Sequence, residues 1–202
     1  MKYGRLWVLA VGMVIGMLPA FSATPEERAA EWVQTHLRTN TAPPFSFIYD
    51  GRPFSEIDKA WEFTEESKPL DGARIEHNCR YRDPETGLTV RCVGTEYRDF
   101  PAVEWVVYLR NDGKKDTPLL ESIQAMDTDF SAIQPAAPRL YYARGSRAEA
   151  PDFEPLESAI EKPLTIAPAG GRSSDTHMPF FNLALSDTTG VMLAVGWSGQ
   201  WA

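Results

Sequence analysis

Along residues 75–82 less polar and charged positions alternate. Ile75, His77, Cys79 and Tyr81 interleave with Glu76, Asn78, Arg80 and Arg82, the period of two that gives a strand one face toward a core and one toward water. The same period runs through Phe45, Phe47 and Tyr49, and a hairpin signal, Asp50-Gly51, follows. Trp61 and Phe63 mark a short strand. Val103, Trp105, Val107 and Leu109 form another, ending at the turn Asn111-Asp112-Gly113, and Leu119, Glu121 and Ile123 continue beyond it. Phe181, Leu183 and Leu185 pair through Asp187-Thr188-Thr189-Gly190 with Val191, Leu193, Val195 and Trp197. Pro135 to Pro163 reads as an irregular excursion rich in proline, alanine and charge, and Leu164 to Ala167 as a candidate strand.

A helical period occurs at the start. Thr24-Pro25-Glu26-Glu27 is a capping box with proline at the first helical position. Ala29, Trp32, Val33, His36 and Leu37 then share one face, and the helix should end near Thr39, before Pro43-Pro44. Short strands joined by turns predict an all-β chain, a large antiparallel β-sandwich (supersandwich) over residues 43–202, preceded by a helix and linker over 23–42.

The turn Asp83-Pro84-Glu85-Thr86-Gly87 fixes a register. With Asp83 and Leu88 flanking a four-residue loop, antiparallel partners have numbers summing to 171, which sets Cys79 opposite Cys92 and Tyr81 opposite Val90. A cross-strand disulfide is therefore expected, with a loop-closure contribution of roughly 3 kcal/mol; the other reading is two buried free thiols.

The first residues change the picture from fold to destination. Lys2 and Arg5 precede an apolar stretch, Leu6 to Leu18, and Ala20-Phe21-Ser22 offers a small-x-small cleavage pattern, so residues 1–22 read as a secretion signal and the protein as exported, periplasmic or extracellular. About 13 apolar residues fall short of the roughly 20 of a spanning helix. Export permits the disulfide. The formal charge of −8, with no cluster of lysine and arginine, argues against a nucleic-acid partner, and no second apolar run argues for a membrane. Two cysteines and the three histidines His36, His77 and His177 show no metal-site spacing, so no cofactor or metal is expected.

Several segments carry a family resemblance. They are Phe45-Ser46-Phe47-Ile48-Tyr49-Asp50-Gly51, then Tyr81 through Cys92, then Asp99-Phe100-Pro101-Ala102-Val103-Glu104-Trp105, Pro179-Phe180-Phe181-Asn182-Leu183, and the closing Gly196-Trp197-Ser198-Gly199-Gln200-Trp201. In order and spacing they resemble the N-terminal part of bacterial α-galactosidases of glycoside hydrolase family 36 (melibiase-like). The resemblance implies an N-terminal β-sandwich, a catalytic (β/α)₈ barrel and a small C-terminal β domain, of which this chain reads as the first alone. It implies hydrolysis of terminal α-galactosyl linkages with retention, on two barrel aspartates. No catalytic residue is carried over, and the chain is expected to be inactive as it stands. The implied partners are the barrel, an α-galactoside through the parent enzyme, and a second copy in a homo-oligomer.

The tail is the best local candidate for sugar contact. Trp197 and Trp201 offer apolar platforms around Gly199, and Gln200 offers both a donor and an acceptor. They would line a sugar pocket or cement the interface with the barrel; in a free-standing carbohydrate-binding module Trp197 and Trp201 would be exposed. Ser173, Ser174, Asp175 and His177 hold the letters of a hydrolase triad but read as a turn-rich loop. Glu104 and Glu121, on strands expected to be neighbours, and Asp127 with Asp129 read as a solvated acidic surface rather than a glycosidase pair. His77 reads as a satisfied core histidine.

Overall fold

The structure, a computed structural model, describes residues 24–130 and 138–202; the expected secretion signal lies outside them. The protein is mostly β, and its strands pair antiparallel throughout the described residues. Contacts divide it into two compact units, one up to Thr128 and one from Asp129. Among the described residues no helix is long and apolar enough to cross a membrane.

The first unit opens with helix α1 (Pro25–His36). Its capping box forms: the Glu27 amide donates to Thr24 Oγ1 at 3.2 Å and the Thr24 amide donates to Glu27 Oε2 at 2.7 Å. The apolar face buries Val33 and Leu37 and lays Trp32 against Trp105, ring centroids 4.9 Å apart. Strand β1 (Ser46–Tyr49) turns through Asp50 and Gly51, both at positive φ, into β2 (Arg52–Pro53), the hairpin geometry that the Asp-Gly pair favours. A one-turn helix α2 (Phe54–Ile57) and a 3-10 turn follow, neither of them visible as a period in the sequence. Then come β3 (Glu62–Pro69), β4 (Arg74–Arg82), β5 (Leu88–Tyr97), β6 (Ala102–Asn111) and β7 (Leu120–Gln124).

These strands make two sheets, β2-β1-β7 and β3-β4-β5-β6. Phe47 and Tyr49 from the first sheet share a core with Cys79, Tyr81, Val90 and Cys92 from the second. Phe54 of α2 joins them, stacked on Phe47 at 4.5 Å and edge-on to Tyr81 at 5.4 Å. Gly94 leaves a hollow in β5 that Leu37 fills, so that a Cβ at Gly94 would lie 2.4 Å from a Leu37 methyl. The alternation predicts which residues enter this core, and the result is sandwich-like.

The pairing of β4 with β5 has the expected register: Cys79 lies opposite Cys92 and Tyr81 opposite Val90. The disulfide does not form; both cysteines are free and buried. The parity of the ladder supplies a reason. Asp83 N–H donates to Leu88 C=O at 2.9 Å, and steps of two residues make Cys79 and Cys92 a hydrogen-bonded pair as well. Such pairs are the wider kind, with Cα atoms about 5.5 Å apart against about 4.5 Å for the other kind, and their Cβ atoms lie at the far end of a range of about 4.5–5.5 Å. A disulfide wants about 3.5–4.5 Å. Cys79 instead donates its thiol proton to Leu37 C=O at 2.9 Å.

The second unit is a four-stranded sheet, β11-β10-β8-β9, built from β8 (Arg139–Ala143), β9 (Pro155–Ala159), β10 (Phe180–Ala184) and β11 (Gly190–Ala194). The predicted hairpin of β10 and β11 forms, with Leu183 opposite Val191. The stretch read as irregular holds β8 and β9, whereas Leu164 to Ala167 is not a strand. Five-residue strands between prolines show too few alternations to announce themselves.

Candidate functional site

The tail is set by what its polar groups reach. After β11 the chain still pairs through Val195 N–H to Pro179 C=O at 2.9 Å, then turns at Gly196. At Gly199 it passes so close to the Trp197 ring that a Cβ there would lie 2.5 Å from the indole nitrogen. The Gln200 side-chain amide donates to Pro168 C=O, and the Trp201 indole N–H donates to Ser173 C=O at 2.8 Å. The Trp201 ring meets Phe181 edge-on at 5.6 Å. The three residues singled out in the sequence therefore separate by role. Gln200 and Trp201 tie the tail to the segment 168–173, and Trp197 is left 65% exposed.

The neighbouring loop explains the triad letters as architecture. Asp175 is buried and faces Arg172 at 2.8 Å and Arg147 at 3.4 Å. His177 Nδ1 faces Ala167 C=O at 3.2 Å, and the Ser174 carbonyl accepts from Ser146 N–H at 2.8 Å. Nucleophile, base and orienting acid would need to form one hydrogen-bonded chain; here Asp175 is engaged by arginines and His177 faces a backbone carbonyl rather than Asp175. The acidic pair does not assemble either. Glu104 lies on β6, which pairs with β5, and accepts from the Tyr97 hydroxyl at 2.9 Å. Glu121 lies on β7, which pairs with β1 in the other sheet, so the two strands are not paired.

Two arrangements in the first unit escape a reading by motif. Ser67 sits opposite His77 across β3 and β4, with Ser67 Oγ 2.7 Å from His77 Nδ1 and His77 Nε2 2.9 Å from Glu96 Oε2. This has the order of a Ser-His-Glu relay, but the Ser67 hydroxyl donates its one proton to Glu65. The imidazole therefore shares Ser67 with a carboxylate that takes the serine proton, which is not the arrangement of a relay. His77 is 2% exposed, a satisfied buried histidine. Nothing in local spacing shows the group, because three strands contribute to it and only their register brings them together.

The other arrangement is a cleft of about 230 Å³ beside Tyr49, Trp61, Asp83, Thr86 and Arg52. Tyr49 Oη lies 3.2 Å from Asp83 Oδ2 and 2.8 Å from Thr86 Oγ1, and Thr86 donates to Asp83 at 2.6 Å. Burial raises the Tyr49 phenol above its ordinary range, and the neighbouring Asp83 charge acts in the same direction. The Asp83-Pro84-Glu85-Thr86-Gly87 turn that fixes the β4–β5 register also builds this wall.

Among the described residues no group of three or more histidine, cysteine or acidic side chains is placed to hold a metal ion. No family model, curated protein or solved structure matches the chain.

Proposed function

We propose that this chain is the exported, N-terminal, non-catalytic β-sandwich part of an α-galactosidase-like glycoside hydrolase, and that it meets sugar through Trp197. The ordered resemblance of five segments to that family supports the enzyme class. The observation that carries the sugar contact is the tail geometry. An indole is kept in solvent while the residues around it are tied down by hydrogen bonds and ring contact, and an exposed, fixed aromatic face is what the apolar side of a pyranose packs against. The same exposure suits a free-standing carbohydrate-binding module, in which Trp197 alone would be the platform.

Calorimetric titration with methyl α-galactoside tests the contact. Weak, saturable heat with the wild-type protein, abolished in Trp197→Ala at unchanged melting temperature, is the expected outcome. Absence of binding by the wild type would remove the sugar contact. The non-catalytic role is tested with a chromogenic α-galactoside: no product is expected, and turnover lost on Asp175→Asn or His177→Ala would overturn that assignment.

A further inference from the structure

Phe153 stands in a backbone conformation that its side chain disfavours. Its φ is +64°, in the left-handed region where a bulky residue is an outlier, and the residue is 60% exposed, so burial of the ring does not offset the strain. The turn before it holds it there. The Asp152 carboxylate accepts from the Ser146 hydroxyl at 2.8 Å and from the amides of Arg147, Ala148 and Glu149 at 3.0, 2.9 and 3.2 Å. A strained backbone that its surroundings over-determine, carrying an aromatic ring into solvent, points to a use for that ring.

Phe153 belongs to one end of the second unit's sheet. Strand β8 ends at Ala143, β9 begins at Pro155, β10 begins at Phe180 and β11 ends at Ala194, so the β8–β9 connection, the segment before β10 and the tail all leave the sheet at the same end. Phe180 is 55% exposed there, and Trp197 follows three residues after β11. The order β11-β10-β8-β9 attaches Trp197 to one edge strand, Phe180 to the strand inside it and Phe153 to the other edge strand. One segment ties the connections together. The Gly145 and Ser146 amides donate to Thr176 C=O at 2.9 Å and Ser174 C=O at 2.8 Å, and the Trp201 indole donates to Ser173 C=O at 2.8 Å.

We propose that this end of the second unit binds a neutral oligosaccharide laid across the strands, with Trp197, Phe180 and Phe153 each packing against a different sugar ring. The ligand class rests on the sugar contact proposed for Trp197; the length of the ligand and the roles of Phe180 and Phe153 come from the sheet. From β11 to β9 there are three strand intervals of about 4.8 Å, on the order of 14 Å, more than one pyranose ring covers. The arginines of this end are matched to acids, Arg144 to Glu154 at 2.6 Å and Arg147 and Arg172 to Asp175 at 3.4 and 2.8 Å, so none is left to select an anionic ligand. Each ring comes from a different connection, and the groups stitched beside them are polar. Separate apolar platforms in a polar rim suit sugar rings, which have apolar faces and hydroxyl edges. A protein partner calls instead for a contiguous apolar centre. The Asp152 hydrogen bonds order the Phe153 turn before any ligand arrives, which lowers the entropic cost of binding.

Calorimetric titration with methyl α-galactoside and with stachyose, a tetrasaccharide ending in α-galactose, separates this inference from the contact it builds on. The wild type should bind stachyose about tenfold or more tighter than the monosaccharide, the scale of one or more additional ring contacts. Phe153→Gly, which suits the left-handed position and so preserves the fold, should abolish that gain and leave methyl α-galactoside binding unchanged. Phe180→Ala should reduce the gain as well, and Phe153→Tyr should retain it. Thermal unfolding verifies that each variant is folded. Wild-type binding of both ligands with equal affinity, or a Phe153→Gly variant that keeps the gain, would overturn the extended site while leaving the Trp197 contact standing. A wild type that binds neither ligand would overturn both.

Discussion

Cys79 and Cys92 face each other across a ladder and stay reduced, and burial dominates their chemistry. It pushes both thiols up to about 12, because a thiolate in the core would lose its hydration. Since the folded values lie above those of the unfolded chain, stability is fully present below the ordinary thiol range near 8.5 and is lost as pH rises from there toward 12. Iodoacetamide at pH 8 should leave both residues unlabelled in the folded protein. It should label both in denaturant without reductant, as mass spectrometry would show; failure of that second labelling would mean that a disulfide exists. The pairing partner was legible from the turn, because the numbers sum correctly. The bond was mispredicted because the alternation of wide and narrow pairs, set by the Asp83 to Leu88 hydrogen bond, was left out of the sum. Gly94 makes a second point at this scale. Leu37 is fully buried against it, so Gly94→Ala should cost about 1–3 kcal/mol by overpacking, measurable by chemical denaturation.

Helix α1 was legible to within about three residues, starting where expected and ending at His36 rather than near Thr39, because local signals suffice for it. Its capping box satisfies orphan amides from within four residues of sequence, and its apolar face repeats at helical spacing. Thr24→Ala should cost about 1 kcal/mol, seen as a lower denaturation midpoint, with the Val33 and Leu37 contacts intact. Strands β4, β6, β10 and β11 were legible for the corresponding reason, alternation bounded by turns, and β5 followed from the register that the Asp83-Pro84-Glu85-Thr86-Gly87 turn sets. Elements that depend on distant partners were not. Strands β8 and β9 are five residues each, and β8 acquires partners on both sides, β9 and β10, only in the folded sheet. The Ser67, His77 and Glu96 group needs two registers at once, which no local window contains.

For the whole molecule, an acidic, antiparallel β chain was readable from composition and period, and the tail was readable as a place of interest. What the sequence could not show was the division of labour within that tail. Gln200 and Trp201 look as suited to sugar as Trp197 does, until Pro168 and Ser173, about thirty residues away in sequence, claim their donors. The proposed sugar contact at one exposed indole is therefore the most sharply testable part of the account. Tryptophan fluorescence during titration with millimolar α-galactosides measures it directly. The wild-type protein should show a saturable change in intensity or emission maximum, and Trp197→Ala should show none while retaining the same unfolding midpoint. A wild type that does not respond, or a Trp197→Ala variant that responds equally, would place the sugar contact elsewhere or nowhere on this chain.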